Sequence, residues 1–149
     1  MKILKSISLI GVIFLLCQSC SPIKSSTQGQ DNASLVDLGN GICRQSNGLM
    51  WQMERSEPFA DGREALNYAA KLELGNYRDW RLPTKDEYYS LCYIFELKRQ
   101  GNCTIKLNGN YWMDENSPQA GKWESYPLCG GSEFRYLKNN KGRVRAVRP

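Results

Sequence analysis

The sequence predicts an α+β domain in which short antiparallel strands surround two helices. Three observations carry that prediction. Short apolar runs separated by Gly39-Asn40-Gly41 and Ser46-Asn47-Gly48 open the folded part as strands and tight turns. Two segments with apolar residues at helical spacing follow. After Gly101 strand-like runs return, so strands and helices come in blocks rather than in βαβ units.

The first strands are expected at 35–38, 42–45 and 49–53. Alternation puts Leu49 and Trp51 on one face, and that face is read as core. The first helix is expected from Asp61 to Leu74, with Ala65, Leu66, Ala69 and Leu72 as its apolar stripe. Gly75-Asn76 reads as its stop. The second helix is expected from Lys85 to about Lys98, with the stripe Tyr88, Leu91, Cys92 and Phe95, so Cys92 points inward.

Trp80-Arg81-Leu82-Pro83-Thr84 joins the two helices. Thr84 and Glu87 have the spacing of a capping box, and Pro83 disfavours helix at Leu82. The stretch reads as a buried corner that sets how the helices pack, with Trp80 in the core. Later strands are expected at 111–113, 122–126, 133–138 and 143–147. Asn139-Asn140-Lys141-Gly142 reads as a hairpin turn between the last two, with Arg143 and Arg145 on one face and Val144 and Ala146 on the other.

The amino terminus reads as an export signal. A basic start with Lys2 and Lys5 precedes an apolar run from Ile7 to Leu16, too short to span a bilayer comfortably. Ser19-Cys20 then resembles a bacterial lipobox, with Cys20 as the lipidated residue. Cys17 is the rival site, in a poorer cleavage context, and plain secretion and an uncleaved anchor are the alternatives. The expected organisation is a signal peptide over 1–19, a lipidated cysteine and polar tether over 20–34, and one domain over 35–149. The expected place is the cell envelope, in outer-membrane lipoprotein form.

The 149 residues carry a formal charge of +5; Lys2 and Lys5 fall in the segment expected to be removed, which leaves +3. Such a mild balance gives no expectation of nucleic acid as a partner. The chain has no histidine, which excludes Ser-His-Asp and Cys-His nucleophiles and His-liganded zinc.

Four pieces stand in a set order: Asn47-Gly48-Leu49-Met50-Trp51, Trp80-Arg81-Leu82-Pro83-Thr84, Tyr111-Trp112, and Arg143-Val144-Arg145-Ala146-Val147-Arg148. This arrangement resembles the C-terminal domain of the Legionella collagen-like protein, the Lcl_C family of bacterial surface and envelope proteins, over about residues 35–149. The resemblance implies a C-type-lectin-like fold. For the namesake adhesin it also implies binding of sulfated host polysaccharides. The collagen-like repeats are absent from this chain, and Ala146 stands where the closing strand often carries a cysteine.

Apart from Cys20, the expected mature chain has Cys43, Cys92, Cys103 and Cys129, an even set that reads as two disulfides in an exported protein. Of the three possible pairings, Cys92–Cys103 with Cys43–Cys129 is favoured. The first closes a short loop after the second helix, and the second ties early strands to late ones. A four-thiolate zinc site lacks any Cys-x-x-Cys pair, and Asp114-Glu115-Asn116 reads as a solvated turn rather than a calcium site. No cofactor or metal is expected, and no catalytic role.

The remaining candidates are the basic residues of the expected final hairpin, Arg135, Lys138, Lys141, Arg143 and Arg145, with Trp112, Trp123 and Tyr126 nearby. These residues are either a solvated basic face and core aromatics, or a binding surface for anionic glycan. The leading expectation is a non-catalytic, lipid-anchored binding module. The alternative is a structural or assembly lipoprotein whose partner is another envelope protein.

Overall fold

The computed structural model describes residues 34–149. The expected signal peptide, the lipidation site at Cys20 and nearly all of the tether lie outside the described residues.

Strand, not helix, dominates. The elements are β1 (Leu35–Gly39), β2 (Ile42–Gln45), β3 (Met50–Gln52), α1 (Gly62–Lys71), α2 (Lys85–Glu96), β4 (Tyr111–Met113), β5 (Gln119–Leu128), β6 (Gly131–Asn139) and β7 (Val147–Arg148). They form a four-stranded sheet in the order β1-β2-β3-β7 and a three-stranded sheet in the order β4-β5-β6, both antiparallel. This corrects the expected α+β, C-type-lectin-like architecture: the molecule is mostly β, two antiparallel sheets with two short helices.

Two local causes lie behind the correction. First, α1 ends three residues before the expected Leu74. Leu72 is already extended, and Leu74 and Tyr77 exchange backbone hydrogen bonds around Gly75-Asn76. Gly75 is therefore a turn residue and not a helix cap. It has φ +59°, and a Cβ there would come within 2.3 Å of Ile42 Cδ1. Second, β5 and β6 form a long hairpin with one another, in register from Ala120 opposite Asn139 to Leu128 opposite Gly131. Only the inner parts of these strands were expected, and the hairpin was expected elsewhere.

The expected final hairpin does not form. After β6 the chain turns at Asn139, whose side chain accepts from the amides of Asn140 and Lys141. Residues 142–144 then run beside β4, with the Arg143 amide donating to Asn110 and the Trp112 amide to Arg143. Gly142 lets this happen, since a Cβ there would meet Asn110 O, Tyr111 C and Ala120 Cβ at 3.2 Å. Val147 finally pairs with Trp51 of the other sheet and exchanges two backbone hydrogen bonds with Arg81, each 2.9 Å. The closing segment thus fastens one sheet to the other.

The interior has two clusters. One packs Tyr88, Leu91, Cys92 and Ile94 of α2 against Leu35, Cys43, Trp51, Val147, Tyr111 and Met113. The other packs Ala65 and Ala69 of α1 against Ile42, Trp80, Leu82, Trp112, Ala120, Val144 and Ala146. The small alanines let α1 lie close to the sheet.

The corner between the helices is as the sequence predicts. Trp80 and Leu82 are buried. Thr84 caps α2, accepting from the Glu87 amide at 3.1 Å, while the Glu87 carboxylate accepts from the Thr84 amide at 2.8 Å. Arg81 adds a two-pronged ion pair to Glu87, at 2.7 and 2.8 Å. Hydrogen bonding from Arg81 is the main cause that lowers the Glu87 carboxyl below its ordinary value.

One disulfide is present among the described residues, and it joins Cys43 to Cys103. Neither expected pairing, Cys92–Cys103 or Cys43–Cys129, forms. The bridge ties β2 to the loop after α2, while Cys92 is a buried free thiol and Cys129 an exposed one at the tip of the β5–β6 hairpin. Cys92 does point inward as expected, where it shares a cavity wall with Trp123 and Phe134 of the hairpin, while Cys103 is taken by Cys43.

Candidate functional site: an aromatic face on α2 and the long hairpin

The structure disperses the expected basic cluster. Arg145 is fully buried. Its guanidinium donates to the carbonyls of Gln52 and Lys106, each at 2.7 Å, and to that of Met53, and it sits 5.5 Å from the Tyr111 ring centroid. Arg143 is half-buried and donates to Ser56 O at 2.9 Å, with Glu57 3.6 Å away. These two arginines therefore hold the closing segment against the 52–57 loop, and the expectation that they present a ligand-binding face is corrected. The cause is the missing hairpin. Residues 143–147 do not pair with β6 but run between β4 and the 52–57 loop, so both alternating sets of side chains are buried or half-buried.

Arg135 remains exposed on β6, but it pairs with Glu133 at 3.2 Å and lies over the Tyr126 ring at 5.3 Å. Lys138 and Lys141 are exposed. Trp112 is a core residue: it is 6% exposed and its Nε1 donates to Phe59 O at 3.2 Å. Asp114, read as part of a solvated turn, instead accepts from the Lys85 amide at 3.3 Å and pairs with Lys85 Nζ at 3.6 Å, at the start of α2.

Trp123 has a different setting. It is half-buried, its Nε1 donates to Lys85 O at 3.2 Å, and its ring meets Tyr89 at 5.1 Å and Tyr136 at 5.3 Å between centroids. Tyr89 continues the contacts to Phe134 at 5.3 Å and stacks on Tyr93 at 6.2 Å and 11° between planes. Five rings from α2 and the hairpin thus join through edge, tilted and stacked contacts into one surface. Tyr93, the most open of them, is 44% exposed. Trp123, Phe134 and Tyr136 share one face of the hairpin because Trp123 is opposite Tyr136 and Phe134 is two residues on; Lys138 falls on the same face.

Sequence reasoning missed Tyr89 and Tyr93. A signal was present: they stand at i, i+4 on α2, off the stripe that goes to the core, and such residues meet on a helix surface. Phe134 and Tyr136 carry the matching period of two on β6, but only a hairpin partner in β5 turns that period into a face opposite α2.

Beneath this face lies a cavity of about 250 Å3 between α2 and the hairpin, with Tyr88, Cys92, Phe95, Trp123 and Phe134 among its walls. Burial pushes the Cys92 thiol up to about 12 and the Tyr88 phenol well above its ordinary value, so both stay protonated near neutral pH. Neither is available as a nucleophile in that form. A second, shallower hollow of about 550 Å3 runs along α1, with Phe59, Asn67, Tyr68 and Lys71 in its lining. Among the described residues no three or more of His, Cys, Asp and Glu converge to hold a metal ion, and no helix is long and apolar enough to cross a membrane.

Comparison with curated proteins and with solved structures found no match. Comparison with family models did: the Lcl C-terminal domain model matches residues 41–148, from the start of β2 to β7. The match takes in both helices, the long hairpin and the closing segment. It covers well over half of the chain, and the chain belongs to the Lcl C-terminal domain family.

Proposed function

We propose that this chain is a non-catalytic binding module of the cell envelope, anchored through lipid at Cys20, and that its ligand is a polysaccharide. The aromatic face of α2 and the β5–β6 hairpin carries the reading. Partly exposed rings offer flat apolar area at low entropic cost, which suits the apolar faces of sugar rings. Membership in a family named for the C-terminal domain of a collagen-like surface protein supports a binding role over a catalytic one. The protonated state of Cys92 and Tyr88 supports the same side of that choice.

Charge takes second place in this reading. Arg135 and Lys122 are paired with Glu133 and Glu124 on the hairpin, which leaves Lys138 and Lys141 to meet acidic groups on the ligand. The test is affinity electrophoresis through gels loaded with neutral or with sulfated polysaccharide, at low and moderate salt. Retardation that depends on Tyr93 and persists at moderate salt is expected. Retardation that vanishes over a Debye length shortened to ~8 Å would instead assign the binding to charge. No retardation in any gel would leave the second reading, an assembly lipoprotein that docks another envelope protein. What favours that second reading is the hairpin tip, where Leu128 is 58% exposed beside the exposed thiol of Cys129.

A further inference from the structure

We propose that the cavity between α2 and the β5–β6 hairpin receives the N-acetyl group of an N-acetylated hexosamine, whose sugar ring lies on the aromatic face outside. The inference rests on the polysaccharide reading and adds which sugar the module selects.

The cavity has the size of a small substituent or a single ring, about 250 Å3. Its walls are apolar: Phe95, Leu107, Trp123 and Phe134. Its two most buried lining residues are Tyr88 and Cys92, at 1% and 8% exposure. The Tyr88 hydroxyl is buried and has no hydrogen-bond partner among the described residues. Such a group is costly to leave unmade, and an incoming acceptor would satisfy it.

Both buried groups stay protonated at neutral pH, so each presents a donor: a phenolic O–H and a weaker S–H. The occupant must then carry an acceptor. A carboxylate would lose its hydration among apolar walls, which is expensive. A plain hydrocarbon would leave the Tyr88 hydroxyl unsatisfied. An acetamido group meets both demands, with a carbonyl for Tyr88 and a methyl for the rings. Nearby Arg145 gives its two terminal nitrogens to three carbonyls, while its buried Nε–H is a further donor without a partner among the described residues.

The mouth fits the rest of a sugar. Exposed Glu96 and Ser125 and half-buried Lys122 line it, offering hydrogen bonds to hydroxyl groups. Trp123 and Phe134 belong to the cavity and to the aromatic face at once. An acetamido group pointing inward therefore places its ring on Trp123, Phe134 and Tyr89.

The test is titration of the full-length chain with the trimer of N-acetylglucosamine, against cellotriose as the trimer without acetamido groups, followed by tryptophan fluorescence and calorimetry. The acetylated trimer is expected to bind about tenfold tighter or better, the value of one well-made hydrogen bond plus a buried methyl. Tyr88→Phe should bring the two trimers to within about threefold without lowering Tm, because it removes an unsatisfied hydroxyl and keeps the ring. Ser125→Trp, at the mouth, should abolish the preference by filling the entrance, and it keeps the test open if Tyr88→Phe does not fold. Equal binding of both trimers would overturn the inference and leave the polysaccharide reading intact. So would an acetylated preference that survives both substitutions. If neither trimer binds while a polysaccharide gel retards the protein, the inference fails alone; if no gel retards it either, both readings fail together.

Discussion

Two extended stretches, 80–82 and 144–146, have the same plan: an arginine between two apolar residues, Trp80-Arg81-Leu82 and Val144-Arg145-Ala146. They lie close together, since Arg81 pairs with Val147. Their arginines have opposite fates. Arg81 keeps a side chain 27% exposed and finds its carboxylate six residues on, at Glu87. Arg145 is fully buried and finds three carbonyls, two of them more than ninety residues back in sequence. Basic residues on an alternating strand are thus not evidence of a solvated face. What decides their exposure is whether the strand has a neighbour on each side, and for the closing segment it does.

The largest effects should come from the interior of both stretches. Trp80→Ala and Arg145→Ala should each cost ~3–5 kcal/mol in denaturant unfolding. The first empties a large core site, and the second leaves buried carbonyls without a donor. If Arg145→Ala unfolded like wild type, its side chain would have to be solvated and the comparison would collapse.

Cys103→Ser should come next, at ~2–4 kcal/mol, because the bridge to Cys43 closes a span of 60 residues. Peptide mapping of the unreduced protein should recover Cys43 joined to Cys103. A peptide joining Cys92 to Cys103 would contradict the structure.

A smaller, pH-dependent effect should mark the legible corner. Glu87→Gln weakens the charge-assisted pair with Arg81 and one arm of the α2 cap, worth ~1–2 kcal/mol for a partly exposed group. Arg81 holds the Glu87 carboxyl below its ordinary value in the fold. Its stabilisation is therefore present above the unfolded value of about 4.3 and is lost as pH falls through the folded value. The gap between wild type and Glu87→Gln should narrow as pH drops below the ordinary glutamate range. A gap that widened on acidification would reverse the assignment.

These contrasts show which signals the sequence carries. The corner was legible because its determinants are local: Thr84 and Glu87 are three residues apart, Arg81 and Glu87 six, and Pro83 acts on its neighbour. Family membership was legible for a related reason, since the same motif anchors it. The β5–β6 hairpin was only half legible. Its inner strands alternate, and its tip carries a Gly130-Gly131 pair that can turn a hairpin, but Asn139 to Gly142 offers a competing turn signal that proves false. That single misplacement sent Arg143 and Arg145 to the surface and hid the face that Phe134 and Tyr136 make with α2. Disulfide pairing is non-local in the same way, because it depends on where the loop after α2 folds back and not on the number of residues between cysteines. Trp112 and Trp123 were both singled out as platform candidates; the fold puts Trp112 in the core and leaves Trp123 half-buried on the hairpin face, though nothing in their local sequence separates them.

At the small end, Arg135→Ala should leave stability and ligand retention unchanged within error, since Arg135 is exposed and its partners, Glu133 and the Tyr126 ring, are exposed too. A large loss of retention would return the ligand to the charged side of the hairpin.

The most direct measurement sets the two arginine-bearing and aromatic regions against each other: Tyr93→Ala and Arg143→Ala, each assayed for polysaccharide retention and for Tm in the same preparation. Tyr93→Ala is expected to keep Tm and lose retention by about tenfold, because it removes an exposed ring from the binding face. Arg143→Ala is expected to lower Tm and leave the retention of the folded fraction unchanged. The reverse pattern, retention lost with Arg143 and kept without Tyr93, would contradict the assignment of the ligand to the aromatic face.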